Sequence, residues 1–307
     1  MIHGIVPPLV TPLSDRDRLD EAGLERLLDR QLSACVDGVF ILGTTGEGPS
    51  LSDRLQREMI RRTCRVIDQS VPVYVGITDT CLVRAIELAG FAKTEGAKAV
   101  VAAPPFYFPA GQTELRNWFV DLAESLPLPL ILYNMPSCVK ISIETQTLRA
   151  LIEQDNIVGM KDSSGDLRYF ERAVETATLR SDWPLLMGPE SLLVDAMRLG
   201  ARGGVTGGAN LFPELFTGLL AAVRGNNESE VARLQAIVVR LQSLYELGKY
   251  GSSYLKGLKC ALELSGICSG RLAAPFDAFK EPQRIQVEQW LRDFSEPCSS
   301  DARTAQR

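Results

Sequence analysis

One histidine, His3, occurs in 307 residues. A Ser-His-Asp triad would have to use it, and a multi-histidine metal site cannot be built within one chain. Acid–base work therefore falls to Lys, Tyr, Asp, Glu or Cys. The seven cysteines, at 35, 64, 81, 138, 260, 268 and 298, form no CxxC pair, and their number is odd. That usage fits free thiols in a cytosolic protein better than a disulfide framework. No apolar run is long enough to span a bilayer. The opening stretch MIHGIVPPLVTPL has no basic leader and is cut by Pro7 and Pro8, unlike a signal peptide. Formal net charge is −5, with acids and bases mixed, so the basic stripe required for nucleic-acid binding is missing. These absences predict a cytoplasmic protein with neither a membrane nor a nucleic acid as partner.

What is present is a rhythm of short apolar runs. Strand candidates lie at 4–10, 38–43, 72–77, 99–104, 128–134, 157–162, 184–188 and 203–208. They are apolar throughout, as in parallel strands covered on both faces. Between them lie amphipathic segments such as DEAGLERLLDRQLSAC, with Leu24, Leu27, Leu28 and Leu32 at helical spacing. Ser52 is an N-cap candidate and Gly200 a C-cap candidate. Eight such βα units fit a (β/α)8 barrel, a fold of usually ~250 residues. An open doubly wound sheet is the alternative, but VPPLVTPL is unlike the Gly-rich first turn of that fold. Helices are expected to continue over 213–224, 228–248, 252–265 and 281–294, with a turn at Gly225-Asn226-Asn227. The expected organisation is a barrel over 1–224, a C-terminal helical extension over 225–296 and a disordered tail over 297–307.

The C-terminal ends of barrel strands carry active sites. The second candidate ends in GTTGEG, whose backbone N–H groups and two hydroxyls could make an anion nest; an ordinary Gly-rich turn is the alternative. The fifth ends in YNMP, with Tyr133, and the sixth in GMKD, with Lys161. An apolar setting disfavours an amine's charged form, and a neutral amine can attack a carbonyl to give a Schiff base. A neighbouring phenol can shuttle protons. The alternatives are a strand-end lysine reaching water and a core tyrosine with its hydroxyl satisfied.

GTTGEGPSLSDRLQRE, YNMP and GMKDSSGD occur together in one order and spacing. In this the chain resembles the N-acetylneuraminate lyase / dihydrodipicolinate synthase family of Schiff-base (β/α)8 enzymes, over roughly residues 3 to 295. The resemblance implies that Lys161 forms an imine with pyruvate or another 2-oxo acid and that Tyr133 is the general acid/base. It implies that Thr44 and Thr45 hold the substrate carboxylate, Thr44 also relaying protons to Tyr133. Tyr107 matches a tyrosine that family dimers exchange across their interface, and Gly188 and Val205 line the pocket by position. No metal or cofactor is implied. A homo-oligomer, dimer or tetramer, is implied.

One departure bears on the substrate. The synthase branch carries an arginine two residues after the proline of the YNxP motif, where it helps bind the carboxylate of aspartate semialdehyde. Here the stretch is YNMPSCVKIS, and Cys138 occupies that position. A thiol cannot make the bidentate contact of a guanidinium. Lys140, two residues on, could supply a cation or point to solvent. The expectation is an aldolase or dehydratase acting on a 2-oxo acid, such as a 2-keto-3-deoxy sugar acid or N-acetylneuraminate. 4-Hydroxy-tetrahydrodipicolinate synthase is the alternative.

Overall fold

A computed structural model describes residues 2–295. In chain order come β1 (Gly4–Ile5), β2 (Leu13–Asp15), β3 (Arg18–Leu19), α1 (Glu21–Ser33), β4 (Val39–Ile41), α2 (Asp53–Ile67), β5 (Val73–Gly76) and α3 (Leu82–Thr94). Then follow β6 (Ala99–Ala102), α4 (Gln112–Ser125), β7 (Leu130–Asn134), α5 (Pro136–Val139), α6 (Thr145–Ile152), β8 (Ile157–Asp162) and α7 (Leu167–Ala177). The chain continues through β9 (Leu185–Met187), α8 (Leu193–Leu199), β10 (Gly203–Gly204), α9 (Pro213–Arg224), α10 (Glu228–Leu241), α11 (Ser253–Leu264) and α12 (Glu281–Ser295).

Eight strands pair in parallel in the order β1-β10-β9-β8-β7-β6-β5-β4. The last seam, between β1 and β4, is closed by hydrogen bonds just past β1. Leu9 N–H donates to Phe40 O at 2.8 Å and Phe40 N–H to Pro7 O at 2.9 Å. Regular pairing ends at Ile5, short of the run expected over 4–10, because Pro7 and Pro8 have no N–H to give. The result is a (β/α)8 barrel with helices outside. One apolar layer fills the space between strands and helices; a second, including Val6, Phe40, Val101, Ile131 and Leu186, fills the barrel interior.

The expected caps form: Ser52 accepts from Leu55 N–H, and Gly200 closes α8 in the left-handed conformation. Gly225 and Asn227 make the expected turn, with Asn227 capping α10. The helix expected over 228–248 is shorter: α10 ends at Leu241 and tightens into a 3-10 turn over Gln242–Glu246. The hairpin β2–β3 and the short helix α5 were not expected. The tail 297–307 lies outside the described residues, as does Cys298; the six other cysteines are free. No helix among the described residues is long and apolar enough to cross a membrane.

Candidate active site

Strand register builds the site. On β7, Ile131 and Tyr133 face the barrel interior while Leu130 and Leu132 face the helices. On β8 the alternation is interrupted. Leu130 pairs with Ile157, but Ile131 pairs with Gly159, so one extra residue intrudes. A bulge of this kind reverses which side chains point inward. Ile157 and Met160 both belong to the outer layer, and Lys161 comes to lie beside Tyr133 in the register. Without the bulge, Met160 would take that place. Gly159 permits it: a Cβ there would sit 2.9 Å from Pro184 O.

Lys161 is buried, at 5% exposure. Its Nζ lies 4.2 Å from the centroid of the Tyr133 ring and 5.3 Å from that of Phe40. Among the described residues it has no hydrogen-bond or ion-pair partner. The Tyr133 hydroxyl lies 3.3 Å from the Thr44 hydroxyl. Asn134 and Asp162, next along the strands, point the other way and brace the pair from behind. Asn134 Nδ2 donates to Asp162 Oδ1 at 2.7 Å, and Ser164 Oγ donates to Asp162 Oδ2 at 2.8 Å. Burial holds the Asp162 carboxyl above its ordinary pKa, partly offset by these hydrogen bonds.

Thr44 and Thr45 sit in the loop after β4. Neither donates its backbone N–H to a described residue, which leaves two donors for a ligand. The Thr45 hydroxyl lies 3.0 Å from the hydroxyl of Tyr254 on α11. Glu47 in the same loop is buried and joined to Lys259 of α11: Lys259 Nζ donates to Glu47 Oε1 at 2.5 Å and to Arg271 O at 2.6 Å. Ala273 N–H donates to Glu47 Oε2 at 2.7 Å. The GTTGEG loop is thus fastened from outside the barrel. Gly207 makes room for the fastening, since a Cβ there would fall 1.8 Å from the Tyr254 hydroxyl. Tyr254 stacks edge-on against Tyr245, whose hydroxyl donates to Glu190 Oε1 at 2.8 Å. Burial raises the pKa of Tyr254 and, in the same way, that of Glu190.

The remaining predicted residues are placed differently. Val205 belongs to the interior cluster with Phe40 and Tyr133. Gly188 directly follows β9, its N–H donating to Asp162 O at 2.7 Å. Cys138 is exposed and lines a cavity of about 200 Å³ above Tyr133 and Thr44. Lys140 is exposed, and its Nζ donates to Ser137 O at 2.9 Å. Tyr107 is not brought to Thr44 or Tyr133 within this chain; it is 82% exposed, its ring against that of Phe108.

Tyr254, Glu47 and Lys259 were missed from sequence. Lys259 carried a signal, since it lies on the apolar stripe of Leu255, Leu258 and Leu262 in YLKGLKCALEL. Tyr254 carried none that sets it apart from an ordinary helix tyrosine.

A parallel barrel with a buried amine, a phenol and a hydroxyl-lined loop at its C-terminal rim is the architecture of a carbonyl-acting enzyme. The chain belongs to the dihydrodipicolinate synthetase family, whose profile matches residues 1–293. Among solved structures, dihydrodipicolinate synthase from Bacteroides thetaiotaomicron superposes with a TM-score of 0.92 at 46% identity, covering 95% of this chain and 98% of that one. YagE from Escherichia coli K12, solved in complex with pyruvate, gives 0.91 at 26% identity, covering 96% and 99%. A curated relative from the same organism, named "Probable 2-dehydro-3-deoxy-D-pentonate aldolase YjhH", is 29% identical, covering 94% of each chain. Synthases and aldolases thus both stand among the similar proteins.

Proposed function

We propose that the protein is a class I lyase that makes or breaks a bond next to a lysine-bound 2-oxo acid, pyruvate being the donor. The observation that carries this is the buried, unpaired amine of Lys161 beside Tyr133, whose hydroxyl meets that of Thr44. The Lys161 amine attacks C2 of pyruvate, and the carbonyl oxygen leaves as water, giving an imine. The protonated imine draws electrons from C3, which loses a proton to become an enamine carbon. That carbon attacks an aldehyde; the new alkoxide takes a proton from Tyr133, and Thr44 relays its replacement. Water then releases a 4-hydroxy-2-oxo acid and restores the amine. Cleavage runs the same steps backwards. The Thr44 and Thr45 N–H groups hold the pyruvate carboxylate.

The 46% identity to a protein described as a synthase favours the alternative, condensation with aspartate semialdehyde. The site speaks against it, because Cys138 stands where the second carboxylate needs a guanidinium and Lys140 is turned onto Ser137 O. Tyr107, exposed and aromatic, supports a homo-oligomer in which it enters a neighbour's site.

Exchange of the pyruvate methyl protons in D2O tests the reading, because it needs the enamine but no aldehyde. Wild type should exchange them rapidly and Lys161→Met should not. Equal exchange by both would refute it.

A further inference from the structure

The two threonines of the GTTGEG loop meet different tyrosines. The Thr44 hydroxyl lies 3.3 Å from that of Tyr133, on a barrel strand. The Thr45 hydroxyl lies 3.0 Å from that of Tyr254, on a helix after the barrel. Neither the Thr45 nor the Tyr254 hydroxyl has another hydrogen-bond partner among the described residues. A hydroxyl has one proton to give and lone pairs to accept with. If Thr45 gave its proton to Tyr254, it would turn lone pairs toward an incoming carboxylate. If Tyr254 gives its proton to Thr45, the Thr45 proton is left for the carboxylate.

Acidity decides the direction. A phenol, with a pKa of about 10, is more acidic than an aliphatic alcohol and so is the stronger donor and weaker acceptor of this pair. Burial raises the pKa of Tyr254 further, so the phenol keeps its proton at neutral pH. The backbone of the loop is fixed by other contacts. Leu42 (φ 59°) and Glu47 (φ 55°), on either side of the threonines, take the left-handed conformation that side chains disfavour. The Glu47 carboxylate, held by Lys259 and by Ala273 N–H, fastens that turn without Tyr254. What Tyr254 adds is the direction of one hydroxyl.

We propose that Tyr254 is a positioning residue for the substrate carboxylate: it donates to Thr45 Oγ1 and so aims the Thr45 proton at the 2-oxo acid. Resting on the imine reading above, this divides the threonines. The Thr44 hydroxyl serves Tyr133, and the Thr45 hydroxyl serves the carboxylate. A carboxylate is held alike before and during the reaction, so loosening it raises KM and spares kcat.

Exchange of the pyruvate methyl protons in D2O, followed over a range of pyruvate concentrations, gives both constants without an acceptor aldehyde. Tyr254→Phe keeps the ring against Tyr245 and removes only the hydroxyl. It should raise the KM for pyruvate about tenfold, the order of one hydrogen bond to a charged group, and leave the maximal exchange rate within about twofold. Thr45→Val should raise KM by a similar factor. The double variant should go no further than either alone, because both lose the same proton. An unchanged KM in Tyr254→Phe, or a fall mainly in its maximal rate, would overturn the proposal. So would independent effects that multiply in the double variant, the mark of a merely structural tyrosine. Trapping of pyruvate by borohydride, run alongside, separates the two levels. Wild type with neither exchange nor adduct removes both the imine reading and this one. An adduct on Lys161 together with a wild-type KM in Tyr254→Phe removes this one alone.

Discussion

Two lysines, Lys161 and Lys259, are buried among the described residues, and their surroundings differ. Lys259 is fully enclosed, and its ammonium is held by Glu47 and a backbone carbonyl. Burial lowers its pKa, and the Glu47 carboxylate opposes that shift. Removing one partner of such a pair leaves an uncompensated charge and typically costs ~3–5 kcal/mol. Lys259→Met should therefore lower unfolding stability by about that much in urea titrations, whereas Glu47→Gln combined with Lys259→Met should recover part of the loss. Lys161 has no such partner, which leaves its amine for a substrate. In the proposed mechanism the phenol beside it has a separable role. Tyr133→Phe should still bind pyruvate covalently but turn over about 10²–10⁴-fold more slowly in steady-state assays. An unchanged kcat would remove Tyr133 from the proton path. Lys161 and Tyr133 were legible in the sequence because each ends an apolar run with a polar group. Tyr254 was not, since its role depends on a contact with Thr45 across 209 positions of chain.

At the scale of elements, the bulge in β8 decides whether Lys161 lies beside Tyr133. The position of each barrel strand could be read from its apolar run, but inward or outward parity could not. A simple alternation starting from Ile157 would have turned Lys161 toward the helices. The extra residue corrects it, and Gly159 is there because Pro184 O comes too close for a side chain. Gly159→Ala should cost ~1–3 kcal/mol of stability through overpacking. It should also slow imine formation with pyruvate at least tenfold, read by timed borohydride trapping, as the register loosens. A variant trapped at the wild-type rate would show that parity does not depend on the bulge. The loop GTTGEG is held the same way, by a distant element: α11 supplies both Tyr254 and Lys259 to it. The helices after the barrel, legible as helices, could not be read as a support for this loop.

At the scale of the whole molecule, closure of the barrel collects these pieces at one rim, and two buried carboxyls add a dependence on pH. Burial raises Glu190 and Asp162 above their ordinary pKa values of 4.5 and 3.8. Between the ordinary and the raised value the folded chain binds more protons than the unfolded one. Stability therefore falls as pH rises through that window and levels off above it. Urea midpoints taken from about pH 4 to pH 8 should show the stability gap between wild type and Glu190→Gln moving in the variant's favour as pH rises. A gap independent of pH would mean that Glu190 is ionised in the folded state like any surface acid. The barrel itself was legible from eight apolar runs and the helices between them. Its closure through a proline-broken first strand was not, because Pro7 and Pro8 interrupt the regular pattern that marks a paired strand.

The central claim concerns one nitrogen atom. The protein is incubated with pyruvate, reduced with borohydride, digested and sequenced by mass spectrometry. The expected result is a single pyruvate-derived adduct on Lys161 and none on Lys161→Arg. An unmodified Lys161 in protein that otherwise consumes pyruvate, or an adduct on another lysine, would contradict the account.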